Sequence, residues 1–103
     1  MNIQFKKGVL EMCVLLMLDK NDYYGYELVS TISDSISISE GTIYPLLKRI
    51  KDDGYVTTYI QESSLGPARK YYKITALGKT TKNEMMQEWA KITNWVNKIK
   101  EEK

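Results

Sequence analysis

Apolar and polar positions change rhythm four times along the chain. Positions 9–18 are an almost unbroken apolar run, and a helix is predicted over about 5–18, apolar on nearly every side, as expected where other elements or a second subunit bury it. Asp19-Lys20-Asn21-Asp22 is turn chemistry, and a second helix is predicted from Tyr23, with Leu28, Val29, Ile32 and Ile36 facing inward and Ser33-Asp34-Ser35 loosening its end. Ile43, Leu46, Leu47 and Ile50 then recur on one side of a third helix, so its polar residues point away. Ser37 with Glu40 three residues on has the capping-box pattern that opens such a helix, and Ser39 is the alternative N-cap. Pro45 removes one hydrogen bond and presses on the carbonyl four residues back, but the apolar period continues across it. That i−4 residue is Gly41, whose backbone adjusts freely, so the helix is expected to run through Pro45 with a local distortion and to end near Asp53-Gly54.

The rhythm next becomes alternating. Residues 55–61 and 69–74 are rich in β-branched and aromatic side chains, and Ser63-Ser64-Leu65-Gly66-Pro67 between them is a turn, which predicts a hairpin. Thr75 caps a long last helix in which Met85, Trp89, Ile92, Val96 and Ile99 are spaced as a short heptad seam, flanked by Met86 and Trp95. Two helices joined by a short turn and followed by a hairpin are the element order of a winged helix-turn-helix. The expected fold is α+β, mostly α: a winged helix-turn-helix over 1–76 with a C-terminal dimerisation helix over 77–103, compact as one domain.

Composition narrows the chemistry. The 103 residues include no histidine and one cysteine, Cys13, so an internal disulfide, a His- or Cys-rich metal cluster and Ser/His/Asp or Cys/His catalysis are excluded. Cys13 lies among Met12, Val14, Leu15 and Leu16, where a thiol serves as a small core hydrophobe. Lys6 and Lys7 before the apolar run faintly imitate a signal peptide, but Glu11 interrupts the run and no small-residue cleavage site follows. No apolar run reaches the ~20 residues that span a bilayer. The expected setting is cytoplasmic, away from any membrane, with no cofactor, no metal and no enzymatic activity. Net charge is only +2, yet residues 55–103 hold nine Lys/Arg against five Asp/Glu, and between Ser63 and Asn83 there are five cations and no carboxylate. A local basic strip of this kind is an electrostatic footprint for nucleic acid.

Three segments carry a resemblance. Tyr24-Gly25-Tyr26-Glu27-Leu28, Gly41-Thr42-Ile43-Tyr44-Pro45-Leu46-Leu47-Lys48-Arg49-Ile50 and Gly66-Pro67-Ala68-Arg69-Lys70-Tyr71-Tyr72-Lys73-Ile74-Thr75 resemble, in order and spacing, the PadR family of transcriptional regulators, in its short-tailed branch with a single C-terminal helix. The resemblance implies a homodimeric repressor on a palindromic operator in double-stranded DNA. Ser39, Thr42 and Tyr44 match the family's recognition helix and Arg69 and Lys70 its wing. The chemistry agrees, since hydroxyls and a helix N-terminus donate to phosphate oxygens and a cationic hairpin suits a phosphate backbone or a narrow minor groove. Lys48, one turn beyond Tyr44, reaches for a phosphate or a guanine; Ser37 and Tyr24 complete the expected DNA-facing set, with packing as the competing role for Tyr24 and cover of the helix pair for Tyr44. The resemblance further implies a dimer cavity for a small aromatic or amphipathic effector, lined by Trp89 and softened by Met12 and Met85, with Ile92 and Val96 in the seam and Trp95 flanking it against the partner's first helix. Packing of the dimer alone is the competing role for Trp89, and plain core packing that for the methionines. Lys79 and Lys82 are read as a solvated face. The alternative function is a winged-helix protein-interaction module without DNA binding, against which the uninterrupted basic strip argues.

Overall fold

A computed structural model describes residues 3–102; residues 1 and 2 of the lysine-bearing start and residue 103 of the expected dimerisation helix lie outside it. The elements follow as α1 (Ile3–Lys20), β1 (Tyr23–Tyr24), α2 (Gly25–Ile36), α3 (Glu40–Asp52), β2 (Val56–Gln61), β3 (Arg69–Ile74) and α4 (Ala76–Glu101). The strands make one antiparallel sheet in the order β1-β3-β2. The whole is a mostly helical winged helix with a long C-terminal helix.

The core forms where the apolar faces predicted from sequence meet. Leu10, Val14, Leu15 and Leu18 of α1, Leu28, Val29 and Ile32 of α2, and Ile43, Leu47 and Ile50 of α3 are buried together with Val56, Tyr72 and Ile74 from the sheet. Leu46 and Ile36 pack at its margin. Cys13 is half-buried, and burial pushes its thiol pKa up, which suits a packing residue and not a nucleophile.

Helix ends are where expectation and structure part. Tyr23 and Tyr24 do not start α2: they pair with Tyr72 and Tyr71 as a third strand, because a β3 edge lies open beside them. Ser33-Asp34-Ser35 does not loosen α2, which runs on to Ile36, since Asp34 and Ser35 point to solvent and cost the core nothing. Ser37 is not the N-cap of α3. It ends α2 in the left-handed conformation (φ 54) while its carbonyl accepts from Lys6 Nζ at 2.9 Å, and Ser39 takes the N-cap position. The helix passes through Pro45 as expected. It stops where Gly54 adopts φ 82, with Gly54 N–H donating to the Lys51 carbonyl at 3.0 Å and Tyr55 N–H to that of Ile50 at 2.9 Å, a Schellman termination.

Thr75 joins wing to last helix. Its hydroxyl accepts from Gly78 N–H at 3.0 Å as the N-cap and lies within bonding distance of the Gly54 carbonyl, 2.7 Å, so the ends of α3 and α4 are fastened at one point. A Cβ on Gly78 would collide with the Tyr55 carbonyl and come 2.8 Å from Ile74 Cγ1, so only glycine lets α4 start this close to the sheet. Lys82 is not part of a solvated face. Its ammonium lies 2.8 Å from Asp19 Oδ2 and is largely covered, tying the end of α1 to α4, and this contact holds the Asp19 carboxyl below the usual carboxylate range.

Candidate nucleic-acid interface

Helix α3 turns its apolar stripe to the core and leaves a ridge outside. At 3.6 residues per turn, Gly41, Pro45 and Lys48 lie along this ridge, with Thr42 and Tyr44 on its opposite flanks. Thr42 faces a hollow of about 270 Å³ against α1, lined also by Lys7, Leu10, Pro45, Leu46 and Arg49. Tyr44 leans the other way and is 45% exposed. Desolvation and then the Glu40 carboxylate raise its hydroxyl pKa, so at neutral pH it is a proton donor.

Ser39 caps α3 by backbone conformation (φ −72, ψ 151) without a side-chain bond to the helix; its hydroxyl and that of Thr42 lie 3.0 Å apart. First-turn N–H groups are therefore left without the usual side-chain acceptor. Lys48 Nζ pairs with Asp52 Oδ2 at 2.9 Å on an open surface, where such a pair is weak and easily exchanged for another acceptor. Arg49, its neighbour, is engaged with Glu11 Oε2 at 3.0 Å and links α3 to α1. Ser37 is exposed at the end of α2, two residues before the Ser39 cap.

The wing is fixed by six facing pairs, from Val56↔Ile74 to Gln61↔Arg69. Side chains alternate across a sheet, so Arg69 and Tyr71 share one face while Lys70 and Tyr72 share the other. The two cations expected to grip together thus project from opposite faces. Tyr72 is buried and Lys70 Nζ lies 5.5 Å from its ring centre. On the open face, Arg69 Cζ sits 4.9 Å above the ring of Tyr24. That ring is 6.0 Å from Tyr71 and 6.2 Å from Tyr26, and Tyr71 stacks on Tyr59 at 5.5 Å. Tyr59 completes the row by donating its hydroxyl to Asp22 Oδ2 at 2.7 Å, which raises the phenol pKa.

This tyrosine row is the part that sequence reasoning missed, and Tyr24 serves in it as a platform for the Arg69 guanidinium. Among the described residues no carboxylate pairs with Arg69, so its planar donor edge stays available.

A ridge helix beside a cationic hairpin is the geometry of a winged helix-turn-helix, and its sequence carries a family signature. The pattern of the PadR-like transcriptional regulators matches residues 14–84, from the middle of α1 into α4. The chain belongs to the PadR-like family of transcriptional regulators. Membership implies regulation through DNA binding, and the chain is not an enzyme.

Relatives extend the match. The fold is similar to the crystal structure of a PadR-like transcriptional regulator from Bacillus cereus strain ATCC 14579, with a TM-score of 0.88 and 38% identity over 97% of this chain and 99% of that one. An uncharacterized protein from Lysinibacillus sphaericus is 36% identical over 90 residues, 84% of this chain and 83% of its own length. The negative transcriptional regulator PadR of Bacillus subtilis (strain 168) is 34% identical over 77 residues, 69% of this chain but 41% of that protein. Similarity to the B. subtilis regulator thus covers the smaller part of that protein.

The second group of expected residues divides. Met12, Met85, Trp89 and Ile92 line a hollow of about 420 Å³ between α1 and α4, together with Gly8, Val9 and Glu88. Trp95 and Val96 do not line it, because they lie beyond it along α4. Both are exposed, Trp95 at 62%. Among the described residues no helix is long and apolar enough to cross a membrane.

Proposed function

We propose that this PadR-like regulator is a homodimeric repressor that binds a palindromic operator in cytoplasmic double-stranded DNA and leaves it when a small aromatic or amphipathic molecule enters the cavity beside Trp89. One observation carries the reading: Trp89, Ile92, Trp95, Val96 and Ile99 stand uncovered along α4, on the chain that presents the α3 ridge and the Arg69 wing. A contiguous apolar strip of that kind marks an interface, and its heptad spacing fits a second copy of the same helix. Two copies related by a two-fold axis carry two α3 ridges, as a palindrome requires.

In this reading residues 1–76 hold DNA and 77–103 dimerise. Ser39, Thr42, Tyr44 and Lys48 hold phosphates around the ridge, Gly41 lets the α3 backbone come close, and Arg69 and Lys70 clasp the flanking strand from the two sides of the wing. Few of these side chains suit bidentate base recognition, so half-site spacing and DNA shape carry much of the selectivity. The relative from B. subtilis, a negative regulator, supports the direction of control. The α1/α4 hollow falls within the range of small-molecule sites. A ligand there that prefers one angle between the α4 helices shifts the separation of the two α3 ridges away from the operator spacing.

Ile92→Asp tests the dimer as the DNA-binding species. Sedimentation of the variant is expected to give a folded monomer without operator affinity in gel-shift titration. A monomer that binds as tightly as the parent protein would refute the two-fold arrangement.

A further inference from the structure

Leu65 is 96% exposed, the most open of the large apolar side chains described. An exposed leucine alone is ordinary. Its setting is not. It stands at the tip of the wing, where its own N–H donates to Ser63 Oγ at 3.2 Å in a serine turn, and Gly66-Pro67 then returns the chain to Arg69. The turn aims the side chain outward, and the core neither touches nor needs it.

The tip borders an open hollow of about 520 Å³, to whose wall Leu65 itself contributes along with the turn residues and Gln61, Glu62, Arg69 and Tyr71. Glu62 in that wall disfavours a phosphate deep inside, which leaves the apolar tip and the Arg69 side as the contact edge. An apolar point with a cation behind it matches a DNA groove, which has phosphates at its rims and stacked bases at its floor. Leucine is among the side chains that wedge between base steps from the minor groove, most easily at flexible pyrimidine–purine steps.

We propose that Leu65 is an apolar wedge: with Arg69 on the phosphate rim, it enters the minor groove beside the α3 contact and partly unstacks one base step. The wing thereby selects operators by the deformability of a step to which it makes no hydrogen bond. This rests on the DNA-binding reading above and adds to it a residue that determines specificity.

The test begins with duplexes enriched by the wild-type protein from a random-sequence pool. The enriched duplex is labelled with 2-aminopurine at successive steps across the region protected by the wing, then titrated with wild type, Leu65→Met and Leu65→Ser. Wild type and Leu65→Met are expected to raise the fluorescence at one step. Leu65→Ser is expected to leave it at the free-duplex level and to bind up to about tenfold more weakly, the loss of one buried leucine less the unstacking it no longer drives. Melting curves of the three proteins should coincide, since nothing packs on the tip. Equal fluorescence with Leu65→Ser and wild type would overturn the wedge while leaving DNA binding intact. A change in the sedimentation of DNA-free Leu65→Ser would overturn it too, by making the tip a contact between copies. Failure of the pool to enrich would remove the DNA-binding reading, and the wedge with it.

Discussion

Arg69 is the residue on which the proposed DNA-facing surface most depends, because Tyr24 holds its guanidinium in place without consuming its hydrogen bonds. A cation–π contact at an exposed site is worth only about 0.5–1 kcal/mol, enough to favour one rotamer and too little to prevent transfer to phosphate. Arg69→Ala is therefore expected to weaken binding to operator and random duplex alike and to reduce the slope of log affinity against log salt by about one, measured by anisotropy titration. An unchanged slope would remove Arg69 from the interface. The exposure of Tyr44 was legible in the sequence, because the apolar period of α3 assigns the opposite face to solvent. The platform under Arg69 was not, since it depends on β1 joining β3, and the register that sets Tyr24 opposite Tyr71 leaves no local trace. The N-cap of α3 was open between Ser37 and Ser39 for a different reason: two serines competed for one cap, and the left-handed turn that decides between them is a property of the α2–α3 junction.

At the scale of elements, helices, hairpin and their order followed from hydrophobic period and turn chemistry, and even Pro45 inside α3 was foreseeable from the apolar residues that continue past it. Long-range attachments were not, and the Asp19–Lys82 pair between α1 and α4 is the clearest case. Its effect on stability has a definite sign. Lys82 lowers the Asp19 pKa in the folded protein, so the pair stabilises the fold at pH values above the ordinary carboxylate range and loses its effect as acid protonates Asp19. Lys82→Met should accordingly lower the melting temperature near neutral pH, with the gap to wild type closing in strong acid. A gap that is constant with pH would mean that Lys82 acts by packing its methylene stem alone.

The whole molecule is elongated, 62 × 29 × 21 Å, because the second half of α4 extends away from the winged helix with its apolar strip uncovered. A chain of about this length folded as a sphere has a radius of gyration near 13 Å, against 15.8 Å here. In the proposed dimer that extension has a purpose, since a second copy of α4 would cover the strip and set the distance between two α3 ridges. Hydroxyl-radical footprinting of the DNA upstream of the protein's own gene, in increasing protein concentration, tests this arrangement most directly. The expected result is two patches of protection related by a two-fold axis, with centres about 10 base pairs apart or a multiple of that spacing, appearing together at one concentration. A single patch, two patches that fill independently, or uniform protection would contradict a two-fold regulator that reads DNA with α3 and the wing.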